Sequence, residues 1–272
     1  MVRFKYNNKL IAILILSFAA AIFAPFSHAK TYIVGAQNID YYPYYNFASE
    51  HEKGLGWAVL EAFAKHSGHE FVYLSMPVER LQIELKKGNV DFVFPDNPRW
   101  NAEDRAKVYS RSIVDSFAVT LVKRVSLEEQ SQRIQKLAIP LGFTPAKWQS
   151  QIKSGQLNVI GVKSIFEGLS LLQQNTVDAM DVEYNVARRY ELDSPQLGPF
   201  TADLTLPHNS VEFSLSTLHY DNVIEQLDAF LKDNSEAVSL LKQQYGITNN
   251  TLLIQSLMSR QQLTSQTVWS PL

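Results

Sequence analysis

The sequence predicts an α/β fold, because segments with strand and helix character alternate along it and do so in two successive series. Strand, helix and strand in that order form a βαβ unit, in which the two strands lie parallel. The segment 90–94, Val-Asp-Phe-Val-Phe, is almost wholly apolar and typical of a strand that helices cover on both faces. We therefore expect two α/β units, each built on a mostly parallel sheet.

The first series occupies residues 32–94. Its β-favouring segments are 32–36, 70–74 and 90–94, and its segments with helical periodicity are 55–66 and 78–87. Gly68 and Gly88 follow the two helical segments, where glycine is a common terminating residue. Each predicted helix therefore connects two predicted strands.

The second series follows a long apolar run at 117–122. Its predicted strands are 136–140, 159–162 and 177–180, and its predicted helices start near Pro145 and Ser164. Segment 221–245 has a helical pattern, and the chain from 248 onward is rich in Gln, Ser and Thr. Four apolar residues in this tail favour a helix that packs against the protein, rather than an unpacked terminal segment: Leu252, Leu253, Leu257 and Met258.

Residues 1–29 have the pattern of a secretory signal peptide. Three basic residues precede an apolar run at 10–23, and the small-x-small sequence Ser-His-Ala at 27–29 suits cleavage before Lys30. A retained membrane anchor is the alternative, but the apolar run is short for a span. Because the chain has no cysteine, we expect neither a disulfide nor a lipid-modified cysteine. These features predict a soluble periplasmic protein.

The charge balance argues against nucleic acid as a partner. The chain has 25 basic and 27 acidic residues, and cleavage after residue 29 would remove three basic residues and leave a net charge of −5. A nucleic-acid-binding chain would instead carry basic patches. We therefore expect a partner of another kind.

The segment GNVDFVFPDNPRWNAEDR at 88–105 changes abruptly from apolar residues to prolines and polar residues. Pro95 and Pro98 cannot extend a hydrogen-bonded ladder, so we expect them to stop the strand. Ligands of parallel α/β sheets bind beyond the carboxyl ends of the strands. The loop would present four side chains to such a crevice: Asp96, Asn97, Arg99 and Trp100. An ordinary turn is the alternative, since Pro, Asp and Asn are common turn residues.

Several stretches of the chain carry a family resemblance. In the first half they are GLGWAVLEAFAKHSGHEFVYL, the Gly-Asn-Val-Asp of 88–91, and AEDRAKVYS. In the second half they are LAIPLGFTPAKW, NTVDAMDVEYNVA and LDAFLKDNSEAVSLLKQQYGI. In order and spacing these stretches resemble the family 3 periplasmic solute-binding proteins, which bind polar amino acids for ABC importers. The resemblance extends over the mature chain to about residue 247.

This resemblance implies a two-lobe periplasmic binding protein type II fold, with a mostly parallel sheet flanked by helices in each lobe. Lobe 1 would comprise 30–119 and 214–272, and lobe 2 would comprise 120–213. Crossing segments near 117–123 and 211–216 would act as the hinge. It also implies a monomer that closes on a small polar ligand, an amino acid or related zwitterion, and that serves an inner-membrane ABC permease or receptor.

An arginine is the first site residue that the resemblance implies. Arg105 matches the arginine that grips the ligand α-carboxylate, a role that suits the planar guanidinium. Counted from Asp91, however, Arg105 lies two positions later than the family pattern, so Arg99 or Arg80 could supply the cation instead. A surface salt bridge with neighbouring acidic residues is the other interpretation of Arg105.

Two further residues come from the second half of the chain. Thr144, before Pro145, would offer a hydroxyl and backbone N–H groups to an anion at a helix start, or serve as a plain N-cap. Glu183 follows Asp178 by five residues, where the family places a carboxylate that pairs with the ligand ammonium. Asp181 competes for this role, and a solvated glutamate at a helix start is the other interpretation of Glu183.

Aromatic residues complete the predicted site. The sequence Tyr-Tyr-Pro-Tyr-Tyr at 41–45 follows the first strand, where the family carries an aromatic ligand wall. We expect Tyr42 and Tyr44 to line the site and Trp100 to face them, with packing between lobes as the alternative.

Catalytic chemistry is sparse in the sequence. There is no cysteine nucleophile and no Gly-x-Ser-x-Gly motif, and His66 and His69 have no evident third metal ligand, so we expect no enzyme, metal or cofactor. Two alternatives stay open. One is a periplasmic cyclohexadienyl or prephenate-type dehydratase on the same fold, in which Glu183 or Asp96 could act as a general acid only if it were buried. The other is a ligand-sensing accessory protein for a membrane receptor.

Overall fold

The computed structural model describes residues 30–100, 106–123, 134–247 and 249–268, and side chains up to residue 260. Its strands are β1 (Thr31–Gln37), β2 (Glu70–Met76), β3 (Phe92–Asp96), β4 (Val108–Tyr109), β5 (Val114–Lys123), β6 (Lys136–Pro140), β7 (Asn158–Val162), β8 (Ala179–Glu183), β9 (Phe200–Ala202) and β10 (Asn209–Thr217). Its helices are α1 (Leu55–Ser67), α2 (Val78–Lys86), α3 (Gln149–Lys153), α4 (Ile165–Gln173), α5 (Tyr184–Asp193), α6 (Asp221–Asp233), α7 (Ser235–Gln244) and α8 (Asn250–Val268), with short 3-10 turns at Ala146–Trp148 and Pro195–Leu197. Predicted and observed elements agree in order along the two series.

The first lobe is built on β1, which pairs in parallel with β2 on one side and β3 on the other. Helices α1 and α2 connect these strands in two βαβ units, as the alternation predicted. Helix α1 buries the apolar side chains that recur at helical spacing, among them Leu55, Val59 and Phe63. It ends at Gly68, whose φ of 74° is the left-handed conformation that favours glycine.

The second lobe is built on β6, which pairs in parallel with β7 and β8. Helix α4 follows β7 and begins at Ser164, whose side chain accepts a hydrogen bond from the Glu167 N–H. The antiparallel strands β5 and β9 complete this part of the sheet, since β5 pairs with both β8 and β9.

Two long strands cross between the lobes. In β10, residues 209–213 pair with β5, whereas Ser214, Ser216 and Thr217 pair with β3 or β4. The full strand order is β2-β1-β3-β10-β5-β8-β6-β7. The crossing strands β5 and β10 overlap the segments 117–123 and 211–216 that the resemblance implied.

One sequence prediction about β3 is wrong. Pro95 does not end the strand, because β3 continues through it to Asp96. Asp96 pairs with Ser214 and Val93 pairs with Ser216. Three residue intervals on β3 therefore lie opposite two on β10, and the hydrogen-bond ladder is irregular there. Proline is tolerated at such a bulge, where its missing N–H is not required. Asp96 is therefore a strand residue rather than a loop residue.

The helix predicted near Pro145 also differs in form. A 3-10 turn at Ala146–Trp148 comes first, and α3 follows it with only five residues. Pro145 stands at the cap position and the turn has no side-chain cap hydrogen bond, so Thr144 is not an N-cap.

The tail forms the helix α8, and its first turn is hydrogen-bonded to the crossing strands. The Asn250 side-chain amide donates to the Ser116 carbonyl at 3.1 Å and to the Ser210 hydroxyl at 3.2 Å. Leu253 and Leu257 are buried, whereas the other two apolar residues of the predicted face are exposed. Within the described ranges, the helices are too short or too polar to cross a membrane.

Candidate ligand-binding site

A cavity of about 320 Å³ lies between the two lobes. Its walls come from the carboxyl ends of β1 and β3, the first turns of α2, the crossing strands β5 and β10, and the loop and turn that follow β6. This is the position at which open α/β sheets bind ligands, beyond the carboxyl ends of parallel strands.

The lobes contact each other at the rim of this cavity. A Cβ atom on Gly142 would lie 2.7 Å from the Val78 Cβ, and the φ of Gly142 is +82°. The ring of Phe143 lies 5.6 Å from that of Tyr41. Because Gly142 and Phe143 follow β6 in the second lobe, the two lobes are in contact over the cavity.

The polar groups on the first-lobe side are bonded to one another. The Asp96 carboxylate is 1% exposed and lies 2.5 Å from the Lys107 ammonium and 2.6 Å from the Ser216 hydroxyl. Gln82 donates to the same carboxylate and accepts from Lys107 at 2.6 Å. The Tyr45 hydroxyl donates to Gln37 at 2.7 Å. Asp96 therefore borders the cavity with its charge balanced by a buried ammonium.

The second lobe contributes a largely buried pair of opposite charge, Lys147 and Asp181. The Lys147 Nζ lies 2.7 Å from Oδ1 of Asp181, and the two side chains are 10% and 15% exposed. Burial lowers the pKa of Lys147 and raises that of Asp181, while the attraction between them opposes both shifts. Strand β8 carries Asp181, and the 3-10 turn after the neighbouring strand β6 carries Lys147.

This pair has unused hydrogen-bonding capacity. Apart from Asp181, the buried Nζ of Lys147 has no acceptor among the described residues, although an ammonium has three N–H donors. No described residue donates to Oδ2 of Asp181. The sequence suggested Asp181 only as an alternative to Glu183 for the ligand ammonium, and it did not indicate Lys147. The signal for Lys147 was its position in the segment that follows β6, seven residues after Pro140.

Five aromatic residues border the cavity in a continuous series of ring contacts. They are, in order of contact, Phe143, Tyr41, Tyr45, Phe213 and Trp100. The successive ring centroids lie 5.6, 5.2, 5.7 and 6.1 Å apart. The Tyr41 and Tyr45 rings are stacked with 21° between their planes. Trp100 borders the cavity, as the loop pattern predicted.

The tyrosine segment presents different residues from those predicted. The Tyr41 N–H donates to the Tyr45 carbonyl at 2.9 Å, and this tight turn brings the first and last rings of the segment to the cavity. The Tyr42 ring instead lies against the Arg189 guanidinium, whose Cζ is 4.8 Å from the ring centroid. Tyr44 is fully buried and does not border the cavity.

Glu183 does not border the cavity either. Its carboxylate accepts hydrogen bonds from the Tyr44 hydroxyl at 2.7 Å, the Val186 N–H at 2.8 Å and the Phe117 N–H at 3.2 Å. Burial raises its pKa to about 7 against the effect of these donors. Glu183 is thus an N-cap of α5 within the contact between lobes, and Asp181 is the second-lobe carboxylate that faces the cavity.

The described arginine candidates lie away from the cavity. Arg80 is exposed and lies 3.6 Å from Glu84, and Arg99 is exposed as well. Asn97 is buried, but its amide donates to the Glu212 carbonyl at 2.8 Å and its oxygen accepts from a backbone N–H. Arg105 lies outside the described residues.

Three predicted residues therefore border the cavity: Asp96, Trp100 and Thr144. Thr144 is exposed there. In the described part of the chain, no three His, Asp or Glu side chains cluster as metal ligands would.

No family model and no curated protein sequence matches this chain. Solved structures do match it in fold. An arginine transport-system periplasmic binding protein from Legionella pneumophila has a TM-score of 0.64 and 15% identity, over 80% of this chain and 100% of that one. The GluR0 ligand-binding core in complex with L-glutamate has a TM-score of 0.65 and 12% identity, over 80% and 99%.

A third similar structure is an ancestral amino-acid-binding protein described as a precursor of cyclohexadienyl dehydratase. Its TM-score is 0.62 at 15% identity, over 79% of this chain and 95% of that one. Likeness at such identity establishes the fold. The expected two-lobe periplasmic binding protein type II fold is thus confirmed.

Proposed function

We propose that this chain is a periplasmic solute-binding protein whose lobes, 30–119 with 214–272 and 120–213, close on a small zwitterion such as an amino acid. Residues 1–29 would direct export, and the closed protein would deliver its ligand to an inner-membrane ABC permease or receptor. The observation that carries this proposal is the largely buried Lys147–Asp181 pair, which has hydrogen-bonding capacity left beside the cavity between lobes.

The pair complements the two charges of a zwitterion. A ligand carboxylate would accept hydrogen bonds from Lys147, and a ligand ammonium would donate to Oδ2 of Asp181. Both are charge-assisted hydrogen bonds, which are roughly twice as strong as neutral ones. They gain further strength where the closed lobes exclude water. The Lys147 ammonium has donors beyond the one that faces Asp181, and a bound carboxylate would accept from them and so lower the cost of leaving them unmet.

The cavity volume suits such a ligand. At about 320 Å³ it is large enough for one amino acid, since small-molecule pockets are about 300–1,000 Å³. The first-lobe carboxylate, Asp96, is already bonded to Lys107 and Ser216 and so has less to offer a ligand ammonium. We therefore assign ligand charge recognition to the second lobe.

A dehydratase of cyclic prephenate-like acids is the second candidate function. The position and the raised pKa of Asp181 favour it. Its pKa is raised by burial and it borders the cavity, so it could donate a proton to a leaving hydroxyl while Lys147 holds a substrate carboxylate. Glu183 has a higher pKa than usual but lies away from the cavity.

The test is ligand binding by the chain from Lys30 onward, unfolded and refolded to remove any bound ligand. Calorimetry and thermal shift against all amino acids should show at least one that raises the melting temperature. Lys147→Met should weaken that binding at least about tenfold, because a charge-assisted bond contributes about 1.5–3 kcal/mol. Lys153→Met, an exposed lysine of α3, is the matched control and should bind normally.

Other outcomes identify other functions. Absence of binding by every amino acid would overturn the proposed function, and unchanged affinity in Lys147→Met would overturn the assignment of ligand carboxylate binding to Lys147. Conversion of prephenate, followed by the absorbance of its aromatic product, would establish the dehydratase instead.

A further inference from the structure

We infer that the ligand is an aromatic amino acid, held through its α-ammonium and α-carboxylate by the second lobe and through its ring by the series of aromatic residues along the cavity. This inference rests on the proposed function and adds the chemical class of the ligand side chain.

The first step is the continuity of the aromatic surface. Each of its five rings contacts the next, and all five border the cavity. It spans both lobes, because Phe143 follows β6 while Tyr41, Tyr45 and Trp100 belong to the first lobe. A ligand ring that entered on closure would gain offset-stacked or edge-to-face contacts with both lobes.

The second step is that three polar side chains of the first-lobe wall already bond within the protein. Gln37, Gln82 and Asp96 bond to Tyr45, Lys107 and Ser216 within the protein. Most of the other first-lobe residues that border the cavity are aromatic or aliphatic: Tyr41, Tyr45, Val78, Leu81 and Trp100. A polar ligand side chain placed there would lose water without replacing its hydrogen bonds, which is unfavourable.

Two other ligand side chains have to be weighed. A basic side chain would need an acidic partner, and Glu79 at the rim is exposed, so water weakens its attraction. A quaternary ammonium could bind to aromatic faces. It has no N–H group to donate to Oδ2 of Asp181, however, so that acceptor would stay unmatched. The aromatic amino acid uses both the rings and the charged pair.

The experiment compares affinities in the refolded chain from Lys30 onward. The panel contains L-phenylalanine, L-tyrosine, L-tryptophan, L-leucine, L-methionine, L-arginine and glycine betaine, each measured by calorimetry. We expect at least one aromatic amino acid to bind about tenfold more tightly than leucine or methionine, since aromatic pairs add about 0.5–1.5 kcal/mol beyond burial.

Variants then connect this preference to the rings. Phe143→Leu and Trp100→Leu, at half-buried positions, should each reduce affinity for the aromatic ligand about threefold to tenfold. They should change leucine affinity about twofold or less. Phe166→Leu, an exposed phenylalanine of α4, is the matched control and should change neither affinity.

The outcomes separate the two proposals. Tightest binding by leucine, methionine, arginine or glycine betaine would overturn the aromatic inference and leave the zwitterion-binding function standing. Equal loss of leucine and aromatic affinity in both ring variants would also overturn it, because the rings would then support only the fold. No binding by any member of the panel or any other amino acid would overturn both proposals.

Discussion

The hydroxyl of Tyr44 donates a hydrogen bond of 2.7 Å to the carboxylate of Glu183 across the contact between the two lobes. Tyr44 precedes α1 in the first lobe and Glu183 ends β8 in the second, 139 residues later. Glu183 also accepts from the Val186 N–H at the start of α5. One buried carboxylate therefore caps a helix and joins the lobes, and its protonation affects both.

Stability should fall as the pH rises through the titration of Glu183. Its folded-state pKa is raised from an ordinary 4.5 to about 7, so between these values the folded state binds more protons than the unfolded chain. The contribution present below pH 4.5 is thus lost progressively up to about pH 7. Glu183→Gln should flatten this dependence by an amount on the order of 3 kcal/mol.

Urea unfolding from pH 4.5 to pH 8 measures this dependence. Glu225→Gln, at an exposed position of α6, is the control and should keep the pH dependence of the unaltered protein. The same slope in Glu183→Gln would show that another group titrates in this range.

Gly142→Ala should weaken ligand binding by obstructing contact between the lobes. The added Cβ would lie 2.7 Å from the Val78 Cβ, and the backbone φ of +82° is itself unfavourable for alanine. Gly155→Ala separates these effects, because Gly155 has a φ of +72° but nothing within 4 Å of the position that an added Cβ would take. Both variants should lose about 1–2 kcal/mol of stability, because a Cβ is unfavourable in the left-handed conformation.

Only Gly142→Ala should also lose affinity, by about tenfold or more for an overlap that costs over 1.4 kcal/mol. Calorimetry with the identified ligand measures this. Equal affinity in the two alanine variants would mean that the Gly142 contact does not contribute to the bound state.

Lys107→Met should destabilise the protein by about 3–5 kcal/mol, because it leaves the Asp96 charge buried without its ammonium partner. The double variant Lys107→Met with Asp96→Leu should recover part of this loss. Lys65→Met, on the exposed side of α1, should stay within about 0.5 kcal/mol of the unaltered protein. Urea denaturation checks all three, and a small loss in Lys107→Met alone would show that Asp96 has other compensation.

Arg105 and Lys147 are alternative sources of the cation that binds a ligand carboxylate. If Lys147 supplies it, Arg105→Ala should change ligand affinity only a few fold, whereas Lys147→Met should reduce it at least about tenfold. Calorimetry on both variants decides between them. The reverse result would return the role to Arg105, as the family resemblance implies.

Local patterns were sufficient for much of the fold. The apolar spacing of α1, the glycine that ends it and the serine that caps α4 act within one or two helical turns, so the sequence shows them directly. The alternation of these helices with apolar strands then predicted parallel pairing, which β1, β2 and β3 confirm. The pattern also indicated which strand ends would face a crevice.

The sequence by itself thus determined the class of fold, the order of the elements and the region of the cavity. Only the tertiary structure decided which side chains border that cavity. The turn at 41–45 presents Tyr41 and Tyr45 rather than their neighbours, and the irregular pairing of β3 with β10 keeps Asp96 in a strand. Likewise, Asp181 faces the cavity while Glu183 is turned into the contact between lobes. The physical reason is that these orientations depend on strand register and on contacts between residues more than 100 positions apart, which no local pattern contains.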